Sequence, residues 1–246
     1  MGVTIAVVSG KGGTGKTSVC AGVAIAMAQS GLRVLCVDCD VGLRNLDISL
    51  GMSEVGALSF LDVSEGGYDI GLAPRHPDYP ELAFLTAPMN RPVEQIQVDA
   101  FRKMLWKARD LFDYILLDAP AGVDAGFRLV SAGADRFLVV TGAGPAAIRD
   151  AARVGDLLEL QGKTDVRMIV NRVNKNMMSM LRMTIDDVMD RAGLQLIGVV
   201  LEDEDVPLAA ACGLPVIRFN KRAAAVTTYK KIARRIQGLS EPITLR

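Results

Sequence analysis

Several things are missing from this 246-residue sequence, and each absence narrows its function. There is no excess of either charge: 28 Lys and Arg stand against 28 Asp and Glu. A neutral chain has no global field to draw it onto nucleic acid or an anionic membrane, so any such contact must be local. Nucleic acid is therefore not expected as a partner. Cysteine is scarce. Cys20, Cys36, Cys39 and Cys212 are too few and too scattered for a disulfide scaffold, which suits a reducing cytoplasm. His76 is the sole histidine and cannot build a Ser-His or metal constellation alone. The N-terminus has no basic n-region and no cleavage site. Met1-Gly2 opens like a myristoylation signal, but Ala6 stands where Ser or Thr is required. No apolar run approaches the roughly 18 residues of a membrane span. The expectation is a cytoplasmic protein, at most peripheral at the inner face of the cell membrane. Linkers, repeats and low-complexity tracts are also missing, so residues 1–246 are expected to form a single domain.

What is present is a regular alternation. Short Val/Ile/Leu-rich runs at 3–8, 33–37, 82–85, 114–117, 136–140, 166–170 and 195–200 read as strands. Runs apolar on both faces suit a buried parallel sheet. Longer stretches at 16–29, 93–111, 145–160, 184–192, 206–212 and 221–239 read as helices. Strand–helix alternation predicts right-handed βαβ units: an α/β, doubly wound, mainly parallel sheet with helices on both faces. Residues 64–92, rich in Gly and Pro, look like surface excursions around one strand.

The first strand runs into Ser9-Gly10-Lys11-Gly12-Gly13-Thr14-Gly15-Lys16-Thr17-Ser18, and a helical pattern follows. Strand, glycine loop and helix form the context of a Walker A phosphate loop, hence a P-loop NTPase binding ATP and Mg²⁺. Gly10, Gly12, Gly13 and Gly15 let the backbone take shapes that a side chain would block. The loop amides can then curl round phosphates as an anion nest, beside a helix N-terminus carrying about half a unit of positive charge. Lys16 is expected to reach the β- and γ-phosphates, and the Thr17 hydroxyl to bind Mg²⁺.

Acids stand at the ends of two strands. The second strand runs into Asp38-Cys39-Asp40, on the side where open α/β sheets bind ligands. Both acids could equally be caps of their own loop. The run 114–117 ends in Asp118, a Walker B pattern whose carboxylate orients a Mg²⁺-bound water. Gly122 and Gly126 are expected to free the following loop to respond to a γ-phosphate, as a switch does. Asn171 closes a later strand, where a side-chain amide can pair with the adenine edge.

Lys11 has no place in a plain Walker A motif. With it, the sequence resembles the deviant Walker A family, the MinD and ParA ATPases and their nitrogenase-iron-protein relatives. Gly42-Leu-Arg-Asn-Leu-Asp47, Asp118-Ala-Pro-Ala-Gly122, the pattern near Met183-Thr-Ile-Asp-Asp-Val188 and Gly198-Val-Val-Leu-Glu-Asp203 narrow the resemblance to MinD-like septum-site-determining ATPases across residues 3–215. The resemblance implies an ATP-dependent homodimer in which Lys11 crosses to the partner's ATP. It implies that Asp40 positions the attacking water, that Asp38 has a water-mediated role near Mg²⁺, and that Asn171 holds the base. It also implies a division inhibitor and an ATPase-stimulating protein as partners. Rival outputs are a ParA-like partitioning or flagellar-placement ATPase, a nucleotide-gated scaffold with little turnover, and a metal-cluster carrier.

Two departures stand out. The family often has Pro-Glu-Asp where this chain has Leu201-Glu202-Asp203. MinD proteins usually finish in a lipid-binding amphipathic helix, which residues 240–246 do not resemble. The last long helix carries Lys221, Arg222, Lys230, Lys231, Arg234 and Arg235 with Ile232, Ile236 and Leu239 at helical spacing. It is expected to pack its apolar stripe on the sheet; the alternative is a basic amphipathic surface for anionic lipid or DNA. Cys36 and Cys39 are not expected to bind metal, since a site needs about four ligands. Met177, Met178, Met180 and Met183 are expected to pack, with an adaptable contact surface as the alternative.

Overall fold

The computed structural model describes residues 1–89, 91–180 and 182–243, with only the backbone of Met177. The end of the terminal stretch, 244–246, position 90 of the irregular segment and the Met177 side chain lie outside the described residues.

The chain runs β1 (Val3–Val8), α1 (Lys16–Gln29), β2 (Val34–Asp38), α2 (Leu46–Leu50), α3 (Phe60–Ser64), β3 (Leu82–Leu85), α4 (Val98–Leu111), β4 (Tyr114–Asp118), α5 (Ala125–Gly133) and β5 (Arg136–Thr141). It continues α6 (Pro145–Leu160), β6 (Val166–Val173), α7 (Lys175–Met180), α8 (Ile185–Ala192), β7 (Gln195–Leu201), α9 (Asp205–Ala211), α10 (Val216–Phe219) and α11 (Ala224–Ile236). The seven strands lie in the order β3-β2-β4-β1-β5-β6-β7, all pairs parallel.

The strand residues are apolar on both faces because both faces are covered. In β1, Ile5 and Val7 enter one core while Ala6 and Val8 enter the other. The first core lies under α1, α2 and α9–α11, and the second under α3–α6. A third, smaller core joins β6 and β7 to α7 and α8 and buries Met178 and Met183, while Met180 stays exposed.

The helix expected over 93–111 is divided. Ile96 drops into the core, and the extended backbone at Ile96 and Gln97 that takes it there separates a 3₁₀ turn, Val93–Gln95, from α4. The helix expected over 221–239 is shorter at both ends. The Asn220 side chain accepts from the Arg222 amide at 2.9 Å and holds a turn before α11, and Gly238 at φ +81° ends the helical path. Its apolar stripe, from Ala225 and Val226 to Tyr229, Ile232, Ala233 and Ile236, is buried. Leu239 lies beyond the helix and is exposed. The short helices α2, α3, α5, α7 and α10 carried too few turns to show a period in the sequence. Among the described residues, no helix is long and apolar enough to cross a membrane.

Candidate functional site

Parallel pairing gathers the candidate residues at one edge of the sheet. Asp118 lies in register with Val7 of β1 and with Asp38 of β2, so both strand-end acids face the loop that leaves β1. In that loop Gly13 and Gly15 hold φ of +78° and +81°, values that L side chains rarely adopt. A Cβ on Gly12 or Gly13 would meet nothing within 4 Å, so the loop stands open. Gly15 is doubly required, because its Cβ would also come within 2.3 Å of the Asn171 amide nitrogen. Gly10 has a different reason: its Cβ would lie 2.7 Å from Asp150 of α6, so close helix packing demands it. The Ser9 hydroxyl donates to the Lys11 carbonyl at 3.0 Å and fixes the turn, a part that the motif did not assign to it.

No side chain caps the N-terminus of α1. Its first-turn amides, those of Lys16, Thr17 and Ser18, therefore have no partner within the helix. Thr14 Oγ1 is buried without a hydrogen-bond partner. An uncapped helix, an open glycine nest and an orphaned hydroxyl fit a phosphate chain.

Lys16 is buried, and its Nζ donates to Asp118 Oδ1 at 2.6 Å. Burial pulls its pKa down, but the Asp118 charge and hydrogen bond outweigh it, and the pKa lies above the usual lysine value. Asp38 accepts from the Asp40 amide at 2.9 Å on Oδ1 and from the Leu46 amide at 3.2 Å on Oδ2. Burial, with Asp118 beside it, lifts its carboxyl to about 7 against the pull of those amides. Asp40 Oδ1 accepts from Gly42 and Leu43, each at 3.3 Å. Both acids thus cap their own loop. Asp38 and Asp118 set two hard oxygen donors side by side, and Thr17 adds a hydroxyl in the first turn of α1. Among the described residues no group of three or more His, Cys, Asp or Glu side chains could hold a metal alone. That suits magnesium, which takes one or two carboxylates and leaves the rest to water and phosphate oxygens.

Asn171 is 4% exposed and its Nδ2 donates to the Thr14 carbonyl at 2.8 Å. It also lines a cleft of about 910 Å³ with Gly15, Ser18, Glu202, Val206 and Pro207. The structure brings Gly12–Ser18, Asp38, Asp40, Asp118 and Asn171 to one edge. Lys11 is exposed on the loop.

Some expectations change. Gly126 is not loop freedom: it lies in the first turn of α5, and a Cβ there would meet Pro120 Cγ at 2.2 Å. Gly122, at φ +90°, donates to the Ser9 carbonyl at 3.0 Å and so ties its turn to the loop after β1. Cys36 faces the first core and Cys39 the second, and burial pushes the Cys39 thiol well up. His76 is buried. Its Nδ1 accepts from the Asp78 and Tyr79 amides, so Nε2 carries the proton and donates to the Leu50 carbonyl at 2.8 Å. Arg172, which donates to the Gly13 carbonyl at 3.3 Å, was not legible in the sequence, because no motif marks the residue after Asn171.

A central parallel sheet, a glycine loop between β1 and α1 and acids ending β2 and β4 define a P-loop nucleoside triphosphatase. Residues 5–216 match the CobQ/CobB/MinD/ParA nucleotide binding domain family. The septum site-determining protein MinD of Synechocystis sp. is 35% identical over 241 residues, 97% of this chain and 90% of that one. That of Thermotoga maritima is 36% identical over 247 residues, covering 99% and 91%. The solved MinC:MinD cell division protein complex of Aquifex aeolicus contains a chain that superposes with a TM-score of 0.89 at 32% identity, covering 98% of both. The chain belongs to the MinD family of septum site-determining ATPases.

Proposed function

We propose that the chain acts as one ATPase domain that hydrolyses Mg-ATP within an ATP-dependent homodimer. The observation that carries this reading is the buried Lys16–Asp118 pair, set beneath an uncapped helix and an open glycine nest. Lys16 would turn from Asp118 to the β- and γ-phosphates. Asp118, freed of that bond, would be an oxygen acceptor on the Mg²⁺ side of the site. Thr17, Asp38 and Asp118 are the oxygen donors that would hold Mg²⁺, which when bound neutralises phosphate charge. Asp40 uses Oδ1 for its loop, and its other oxygen would position the attacking water. Asn171 gives one N–H to Thr14 and keeps an N–H and an oxygen for adenine. Lys11 stands exposed on the loop, where a second copy of the chain could receive it.

The partners follow from the same reading. That a MinD from Aquifex aeolicus occurs in a MinC:MinD complex supports a division-inhibitor partner, gated by the nucleotide. A protein that stimulates hydrolysis and a peripheral, ATP-dependent membrane contact complete the proposal. Lys11→Ala tests its core. The variant is expected to keep ATP binding, to sediment as a monomer with a non-hydrolysable analogue, and to lose about 10³-fold or more in turnover, the scale of a finger-like charge. Normal dimerisation and turnover in that variant would refute the role of Lys11.

A further inference from the structure

The end of β6 is irregular in a way that the phosphate loop explains. The β6–β7 register shifts between Val170 and Val173. Within the shift Arg172 has φ +54°, the left-handed region, which non-glycine residues rarely adopt. In a regular strand, consecutive side chains point to opposite faces. Here two consecutive side chains reach the same loop. Asn171 Nδ2 donates to the Thr14 carbonyl at 2.8 Å, and Arg172 Nη1 donates to the Gly13 carbonyl at 3.3 Å. The other arm of the guanidinium, Nη2, lies 3.4 Å from Glu202 Oε1 at the end of β7. Asn174 Nδ2 donates to the second oxygen of Glu202 at 3.4 Å. Glu202 thus steadies the arginine from the wall of the same cleft that Asn171 lines.

The loop needs such support. A Cβ at Gly12 or Gly13 would meet nothing within 4 Å, and glycine segments lose the most conformational entropy on being fixed. Carbonyls 13 and 14 share planar trans peptide units with the Thr14 and Gly15 amides, so each C=O points opposite to its N–H. Holding these oxygens outward turns the amides inward. We propose that Arg172 is a positioning residue that preorganises the phosphate loop, and that with Asn171 it ties the loop to the base cleft. The proposal rests on the reading of that loop as a phosphate site.

The test separates loop from base. MgADP and magnesium tripolyphosphate, which has no base, are titrated against wild type, Arg172→Asn and Asn171→Ala. Asn tolerates the left-handed backbone but cannot reach Gly13. At 3.3 Å and open to solvent, this bond is worth no more than an ordinary hydrogen bond, about fivefold. Arg172→Asn is therefore expected to weaken both ligands about fivefold, with Arg172→Lys recovering part of the loss and the ligand-free melting temperature unchanged. Asn171→Ala is expected to weaken MgADP more than tripolyphosphate. A loss confined to MgADP makes Arg172 a base-pocket residue and overturns the proposal. So does no loss for either ligand, or a wild-type loop that fails to bind tripolyphosphate. Wild-type protein that does not bind MgADP at all sinks instead the phosphate-site reading.

Discussion

An ammonium group carried out of water costs several kcal/mol unless a carboxylate meets it. Lys16 meets that condition with Asp118, yet the pair leaves Asp38 beside a second acid in a buried corner, where its carboxyl sits at about 7. The site is thus held in a costly arrangement that a polyphosphate and a divalent cation would relieve. His76 gives the contrasting case of a buried polar group fully satisfied by backbone. Burial pulls its pKa below the usual histidine value, outweighing the Leu50 hydrogen bond. The folded state keeps it neutral, because a proton on Nδ1 would displace two amide donors. The unfolded state takes up that proton below about pH 6.5. Its contribution is therefore full above that pH and is lost as pH falls from there toward the folded value. Urea denaturation at pH 7.5 and 5.5 should show a smaller acid loss in His76→Gln than in wild type. Equal losses would remove His76 from the account.

The packing of α1 on α11 shows how elements carry the site. Gly22 of α1 lets the Tyr229 ring lie against the helix backbone, and a Cβ at Gly22 would fall 2.1 Å from the ring. Alanine would gain about 1 kcal/mol in helix propensity. Overpacking against a ring that is itself buried costs about 1–3 kcal/mol. An approach of 2.1 Å lies at the upper end of that range, so the second effect wins and Gly22→Ala should lower stability by about 2 kcal/mol in a urea titration. The same packing decides the character of α11. Its apolar stripe is spent inside the protein. Arg235 donates to the carbonyls of Ile197, Glu241 and Pro242, and Arg234 pairs with Glu241. The two arginines that looked available to lipid instead hold the following segment.

At the scale of the whole molecule, membrane contact by α11 would have to be electrostatic, because its apolar face is buried. Sedimentation with anionic vesicles should leave the 246-residue chain in the supernatant with ADP. Any pelleting with ATP should vanish at about 0.5 M salt, where the Debye length falls to a few ångströms. Salt-resistant pelleting would mean that an apolar surface inserts, against the packed helix. The sequence by itself determined the parallel sheet, since strands apolar on both faces tolerate no other covering. It also determined the phosphate loop, whose chemistry is local: glycines for backbone shape, a lysine and a hydroxyl within a few residues. What lies between distant segments was decided only by tertiary structure. The Lys16–Asp118 pair spans 102 residues, and the Asn171 and Arg172 bonds to the loop span 157 and 159. The capping bonds that Asp38 and Asp40 make within their own loop are local by contrast, and the sequence offers them as one reading of these acids. A spacing along the chain fixes which groups are neighbours within a turn or two; which carbonyl an amide meets across a sheet depends on how every strand between them pairs.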